Sequence, residues 1–198
     1  MSEVNEPPSR SLTLLTTSRE PSPRTRSLIK DISSLSANIV RLNRGKMTFK
    51  ELLSRAFTLG AKTLVIVGEI RGNPSIMRVY DTEPLWMNQP PIHIFTLFIS
   101  GVSLSRERRY GLPEKPVSNV YVVSRDFANE THRIISLAFT RVFSATIVRP
   151  TSGKDGLSVH VIPKDNLFYV FFKMSDKFVG PVLKISEARI IGKPFEGC

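Results

Sequence analysis

Two short runs carry the most chemistry for their length, Ser18-Arg19-Glu20 and Ser124-Arg125-Asp126. Each follows a β-prone apolar run and precedes a stretch with helical periodicity. An arginine so placed sits where a strand ends and a helix begins. Its planar guanidinium donates two parallel hydrogen bonds to a phosphate, and a helix N-terminus favours anions. Further cations stand close by or in turns. Arg24, Arg26 and Arg133 lie on the helical stretches, and Arg44 and Lys46 in Asn43-Arg44-Gly45-Lys46. Arg71 opens Arg71-Gly72-Asn73-Pro74, Arg106, Arg108 and Arg109 crowd residues 105–116, and Lys154 follows Gly153. Together these twelve positions read as a surface for a polyanion. The competing reading pairs Arg19 with Glu20 or Asp31, and Arg125 with a nearby acid, as surface links that contribute little.

Nothing comparable points to catalysis. The three histidines, His93, His132 and His160, are not at metal-ligand spacing, and the single cysteine, Cys198, is isolated. No zinc or other metal site is expected. No Gly-x-Ser-x-Gly nucleophile elbow occurs. Ser152-Gly153-Lys154-Asp155 lacks the upstream glycine and the hydroxyl residue after lysine that a phosphate-binding loop needs. The expectation is a protein without catalytic residues, cofactor or small-molecule substrate. Tyr80, Trp86, Tyr110, Tyr121 and Phe168 are candidates to stack on bases. For Tyr121 and Phe168 a core or sheet position is the stronger reading, and Trp86 reads as a packing plug between halves.

Composition supports a nucleic-acid partner. The 198 residues include 28 lysines and arginines against 17 aspartates and glutamates, a formal charge of +11. Such an excess bears on partners, not on fold. With 41% hydrophobic residues the chain can build a packed core. A single cysteine rules out an internal disulfide framework. No apolar run approaches the roughly 20 residues of a membrane helix, and residues 1–10 do not resemble a signal peptide. The expected setting is the cytoplasm, or the nucleolus in a eukaryote, with no membrane partner.

The elements that must position these groups alternate between strand and helix, which indicates an α/β or α+β class. Residues 12–17 read as a buried strand. Ser22 can cap a helix that begins at Pro23 and lines up Leu28, Ile29, Ile32 and Leu35. Residues 37–41 read as a short strand. Thr48 and Glu51 form a capping-box pattern before an apolar stripe of Phe49, Leu52, Leu53, Ala56 and Phe57, stopped by Gly60. Strands are expected at 64–67, 76–80, 92–100, 120–123, 157–162, 167–172 and 182–190, with a helix over about 129–142. Residues 83–91 read as a proline-rich connector and 105–116 as an exposed basic loop.

The chain also matches itself. Sliding it so that Arg19 falls on Arg125 sets Leu28 on Ile134 and Ile29 on Ile135, and sets Ile76-Met77-Arg78-Val79 on Val182-Leu183-Lys184-Ile185. A two-residue slip sets Ser36-Ala37-Asn38-Ile39-Val40-Arg41 on Ser144-Ala145-Thr146-Ile147-Val148-Arg149 and Gly45-Lys46 on Gly153-Lys154. The blocks keep their order, which implies two similar α/β halves from an internal duplication. The repeated unit reads as strand, Ser-Arg-acid turn, helix, strand, Gly-Lys turn and two further strands. The first half inserts a helix at 48–59.

Residues 14–32 (LLTTSREPSPRTRSLIKDI), 43–46 (NRGK) and 64–77 (LVIVGEIRGNPSIM) resemble the Brix domain of ribosome-biogenesis proteins, most closely its small-subunit processome branch. The resemblance covers about 10–192. It implies two similar halves, each akin to the anticodon-binding domain of class II aminoacyl-tRNA synthetases. It also implies binding to ribosomal RNA during subunit assembly. The chain lacks a Gly-Pro-Thr-like turn after Tyr80, has a reduced aromatic-basic segment at 167–173, and carries no long N-terminal extension, so it is identified as a minimal, archaeal-type member. The expected organisation is a flexible tail at 1–9 and a Brix-like domain at 10–192. Within it lie an N-terminal half at about 10–82, a connector and strand at about 83–116, and a C-terminal half at about 117–192. The expected function is a non-enzymatic RNA-binding factor that assists pre-rRNA processing or folding and ribosomal subunit assembly. Its partners would be ribosomal RNA or its precursor, with other assembly factors or ribosomal proteins. The alternatives are a protein-interaction scaffold within a pre-ribosomal particle and a tRNA-binding accessory protein.

Overall fold

The structure, a computed structural model, describes residues 11–124, 126–150 and 155–195. The expected tail, Arg125 and Lys154 therefore lie outside the described residues. Ten strands form one mixed sheet: β1 (Leu12–Thr17), β2 (Ile39–Arg41), β3 (Ala61–Ile70), β4 (Asn73–Asp81), β5 (Ile92–Ser103), β6 (Val120–Val123), β7 (Thr146–Val148), β8 (Leu157–Lys164), β9 (Leu167–Met174) and β10 (Lys177–Pro194). Their order across the sheet is β2-β1-β3-β4-β5-β10-β9-β8-β6-β7. Read inward from either edge the pattern is identical. A central strand has parallel neighbours on both sides, and two antiparallel strands follow. The two sets meet where β5 pairs antiparallel with β10.

Four helices complete the described fold: α1 (Pro23–Ser33), α2 (Phe49–Thr58), the single turn α3 (Ser105–Arg108) and α4 (Glu130–Phe143). A 3-10 turn spans Glu83–Met87. The sequence signals that place them act as expected. Ser22 caps α1 by accepting from the Thr25 N–H, with Pro23 in the first turn. Thr48 and Glu51 form a reciprocal capping box on α2. Gly60, at φ +67°, takes the left-handed conformation just beyond α2 that a side chain disfavours.

Helices α1 and α4 cover one sheet face. Leu28, Ile29, Ile32, Ile135, Phe139 and Phe143 pack there against Val65, Val67, Met77, Leu97, Val159, Val170, Phe172 and Leu183 in one continuous core. On the opposite face α2 places Leu52 and Ala56 over Leu14, Leu64 and Ile66, a smaller cluster confined to the first strand set.

Several expectations need correction. The repeat has three strands after its Gly-Lys turn, not two, because residues 92–103, grouped above with the connector, are the fifth strand of the first set. The match of 76–79 to 182–185 therefore aligns a fourth strand with a fifth, a coincidence of alternating aliphatic residues. The helices align one residue away from the ungapped match. Their caps are Ser22 and Asn129, so Thr25 corresponds to His132, Leu28 to Ile135, Ile32 to Phe139 and Leu35 to Val142, every one buried. The loop before α4 is one residue longer. Finally, residues 105–116 are not all exposed loop. The buried Asp31 carboxylate accepts from the Ser105 N–H (2.9 Å) and hydroxyl (2.7 Å), which fixes α3 against α1.

Candidate nucleic-acid interface

Strand directions decide where the expected cations can meet. β5 runs parallel to β1, so the end of β1, the start of α1, the β3–β4 turn and the end of β5 share one rim. Nine of the twelve expected positions belong there: Arg19, Arg24, Arg26, Arg44, Lys46, Arg71, Arg106, Arg108 and Arg109. Hydrogen bonds knit the rim together. Arg44 donates to the Thr17 carbonyl (3.2 Å), holding the 43–46 turn against the end of β1. Glu69 accepts from the Ser22 N–H (2.9 Å) and lies against the Ser22 and Thr25 hydroxyls, joining β3 to the start of α1. Burial alone would raise the Glu69 pKa. The hydrogen bonds from Thr25 and Ser22 outweigh it and hold the carboxyl below the usual carboxylate range.

The cations of this rim are not equivalent. Arg24 forms a two-pronged ion pair with Glu107 (2.6 and 3.0 Å) and donates to the Val102 carbonyl (2.8 Å), so its guanidinium clamps α1 to β5 and α3. Among the described residues no ion pair engages Arg19, Arg26, Arg44, Arg71, Arg106, Arg108 or Arg109. The pairing of Arg19 with Glu20 or Asp31 therefore does not form, since Asp31 is taken by Ser105. Arg44 has its pKa lowered, first by burial and then by the like charge of Arg19. Two guanidiniums thus stand close enough to disfavour each other, a cost that an approaching phosphate reverses.

The start of α4 is elsewhere. β6 runs antiparallel to β5, so it ends, and α4 begins, at the opposite rim. A ten-residue strand such as β3 spans about 33 Å at 3.3 Å per residue. The starts of α1 and α4 therefore cannot line a single short site. Arg133 lies at that second rim, bonded to Glu130 (2.8 and 2.6 Å).

A further surface was not anticipated. Beyond α2 the sheet face opposite α1 and α4 carries no helix among the described residues. Alternation on β8, β9 and β10 sends Val159, Phe172 and Leu183 into the core and His160, Tyr169, Phe171, Lys173 and Lys184 to the open side, all partly exposed. Their rings associate. His160 stacks on Phe171 (centroids 5.1 Å, 1° between planes), and Tyr110 stacks on Phe178 (5.3 Å, 14°). Lys173 Nζ sits 4.9 Å over Phe178, and Lys184 Nζ 5.5 Å over Tyr169. Burial, then the neighbouring Lys173 charge, pushes the His160 pKa below its ordinary value.

Over the first strand set the same side forms an apolar groove of about 770 Å³ between α2 and the 3-10 turn, lined by Phe49, Leu53, Leu85, Pro90, Pro91 and Phe195. Trp86 packs beside it on Phe57 (5.5 Å), with both rings nearly half exposed. It is thus no plug between halves. No group of three or more His, Cys, Asp or Glu among the described residues is placed to hold a metal. No described helix is long and apolar enough to cross a membrane.

Comparison with known proteins now bears on this geometry. No protein-family model matches the chain. A probable Brix domain-containing ribosomal biogenesis protein of Aeropyrum pernix is 37% identical over 182 residues, which is 92% of this chain and 96% of that protein. The chain is a member of the Brix family of ribosome biogenesis proteins. Another member, from Pyrococcus abyssi, is 33% identical over 88% of this chain and 70% of its own length. The crystal structure of the probable ribosomal biogenesis protein from Aeropyrum pernix K1 superimposes on this Brix chain with a TM-score of 0.75 at 36% identity, covering 94% and 98% of the two chains. Mil, an archaeal Imp4-like protein, shares the fold (TM-score 0.63, 20% identity, 90% and 99% covered).

Of the stacking candidates, this Brix chain buries Tyr80 and Phe168 and keeps Tyr110 and Tyr121 partly exposed. Phe178 and His160 were not among these candidates, and Tyr169 and Phe171 entered only through the reduced aromatic-basic segment at 167–173. β9 reads Leu-Phe-Tyr-Val-Phe-Phe-Lys-Met with almost no polar alternation, so its pattern could not reveal that one face is open. A further signal was the absence from the second repeat of a helix matching 48–59.

Proposed function

We propose that this Brix protein is a non-enzymatic RNA-binding factor that assists pre-rRNA processing or folding and ribosomal subunit assembly. Its first contact is with backbone phosphates of ribosomal RNA or its precursor. The observation that carries this reading is the convergence on one rim of Arg19, Arg26, Arg44 and Arg71, all without an ion pair among the described residues, in a chain of charge +11. Phosphate contacts of this kind position RNA and read its shape, not its base sequence. Residues 10–192 would constitute one Brix domain whose halves arose by duplication. The strand order repeated from each edge supports this, and each half would be akin to a class II synthetase anticodon-binding domain. The protein would act in the cytoplasm alongside other assembly factors or ribosomal proteins.

Binding of a pre-rRNA fragment, followed by fluorescence anisotropy across a salt series, tests this reading. Neutralising about five phosphates on a single strand gives a log–log slope of roughly −3 to −4. Arg19→Glu with Arg71→Glu should weaken binding and flatten that slope more than Lys30→Glu with Lys193→Glu, which reverses the same number of charges elsewhere. Equal losses in both pairs, or a salt-independent affinity, would reject the rim as the site.

A second reading, a protein-interaction scaffold, is favoured by the groove at α2, with Trp86, Met87 and Phe57 exposed beside it. Partners retained after nuclease digestion and lost on Trp86→Ala would support it.

A further inference from the structure

We infer that the open sheet face of β8, β9 and β10 is a stacking platform for single-stranded RNA, adjoining the arginine rim and distinct from it in chemistry. The inference rests on the RNA-binding reading above and names a second site and the form of RNA it takes.

The residues on this face are the wrong ones for a merely solvated surface. Tyr110, Phe178 and Phe171 are joined by stacked and tilted ring contacts of 5.3 to 5.4 Å, and Tyr169 lines the same recess. Yet among the described residues no helix covers them, and Phe178 remains 44% exposed. On the other side of the same strands, equally apolar residues are sealed beneath α1 and α4. The open patch is edged by cations. Lys173 and Lys184 lie over its rings, and Arg108 and Lys164 border a recess of about 250 Å³ between Tyr110 and Tyr169. Of the acids, Asp176 acts on His160. Rings for bases and ammonium or guanidinium groups for the phosphates between them are the two components of sequence-tolerant single-strand binding.

The chemistry selects among nucleic acids. A duplex keeps its base faces stacked inside and offers phosphates and ribose hydroxyls. It could use the lysines of this face but not its rings. Unstacked bases use both. The patch also adjoins the arginine rim, because Arg108 and Tyr110 follow β5 directly. One RNA strand can therefore leave phosphates on the rim and lay bases on the platform.

The test uses the full chain with a 12-nucleotide single strand and the duplex of the same sequence, compared by fluorescence anisotropy at one salt concentration. Tyr169→Ala and Phe171→Ala should each weaken single-strand binding about 5- to 150-fold, the range for losing one stacked base, while duplex binding stays unchanged. Phe171→Tyr should restore binding, and its circular dichroism and melting curve should match wild type, which separates stacking from folding. Undiminished single-strand affinity in both alanine variants, or equal losses for strand and duplex, would overturn the platform while leaving the arginine rim intact. Wild-type protein that binds neither RNA would overturn the platform together with the RNA-binding reading.

Discussion

The two strand sets of this Brix protein follow one plan but finish it differently. The first set carries α2 between its second and third strands, and that helix seals the sheet face over β1 and β3 with Leu52 and Ala56. In the second set β7 ends at Val148 and β8 begins at Leu157, and among the described residues no helix covers the matching face. One side of the sheet is shared, the other diverges. The shared side, under α1 and α4, supplies stability. The divergent side supplies an apolar groove at one end and an aromatic, cationic surface at the other.

Three perturbations sharpen or break this contrast. The largest effect is expected from Leu52→Ala, which empties a fully buried site beneath α2 and should cost about 2–5 kcal/mol in urea denaturation. Phe171→Ala, on the equivalent face of the second set, should cost about 1 kcal/mol or less. Similar costs for the two would mean that the second face is a closed core after all. Next comes Asp31→Ala. The caps align Asp31 with Ala138, so the carboxylate that anchors Ser105 has no counterpart in the second set. Its removal strands two donors and should cost about 1–3 kcal/mol by the same measurement. No change would remove the 105–108 turn from the account of the rim.

The smallest effect is a pH dependence. Burial lowers the pKa of His93, His132 and His160 below the ordinary 6.5. A lowered folded-state value means that the unfolded chain takes up protons first. The stability from these rings is therefore complete above about pH 6.5 and is lost as pH falls below it. The carboxyls of Glu69, Glu83 and Glu107, also lowered, join below about 4.5. Melting temperatures measured from pH 8 to pH 4 should fall in those two stages. Because His132 stands where the first set has Thr25, His132→Thr should shrink the earlier stage. A melting temperature that rises between pH 7 and pH 5.5 would contradict the buried, neutral state of these rings.

Much of the fold was legible because its signals are local. Ser22-Pro23, the Thr48/Glu51 box and Gly60 each work through one turn of chain, and all three act in the structure as read. The repeat was legible as ordered blocks, but its register was not. One extra residue before α4 is invisible until Asn129 is seen to cap the helix. Strand direction was not legible either. β1 and β6 each precede a helix, yet only the pairing of β5 with β10 shows that they end at opposite rims. The clamp role of Arg24 depends on Glu107, far along the chain, and no spacing rule joins them. The open face depends on what does not cover it, which the uniformly apolar β9 could not disclose.

Ultraviolet crosslinking of the intact protein to a pre-rRNA transcript, with adducts mapped by mass spectrometry, locates the bound RNA on the protein surface. Adducts are expected on Tyr110, Tyr169, Phe171 or Phe178 and on the segments bearing Arg19, Arg26 and Arg71, with none along the outward surface of α4 or of α1 beyond Arg26. Adducts concentrated on those two helix surfaces, with the open sheet face unmodified, would contradict that placement.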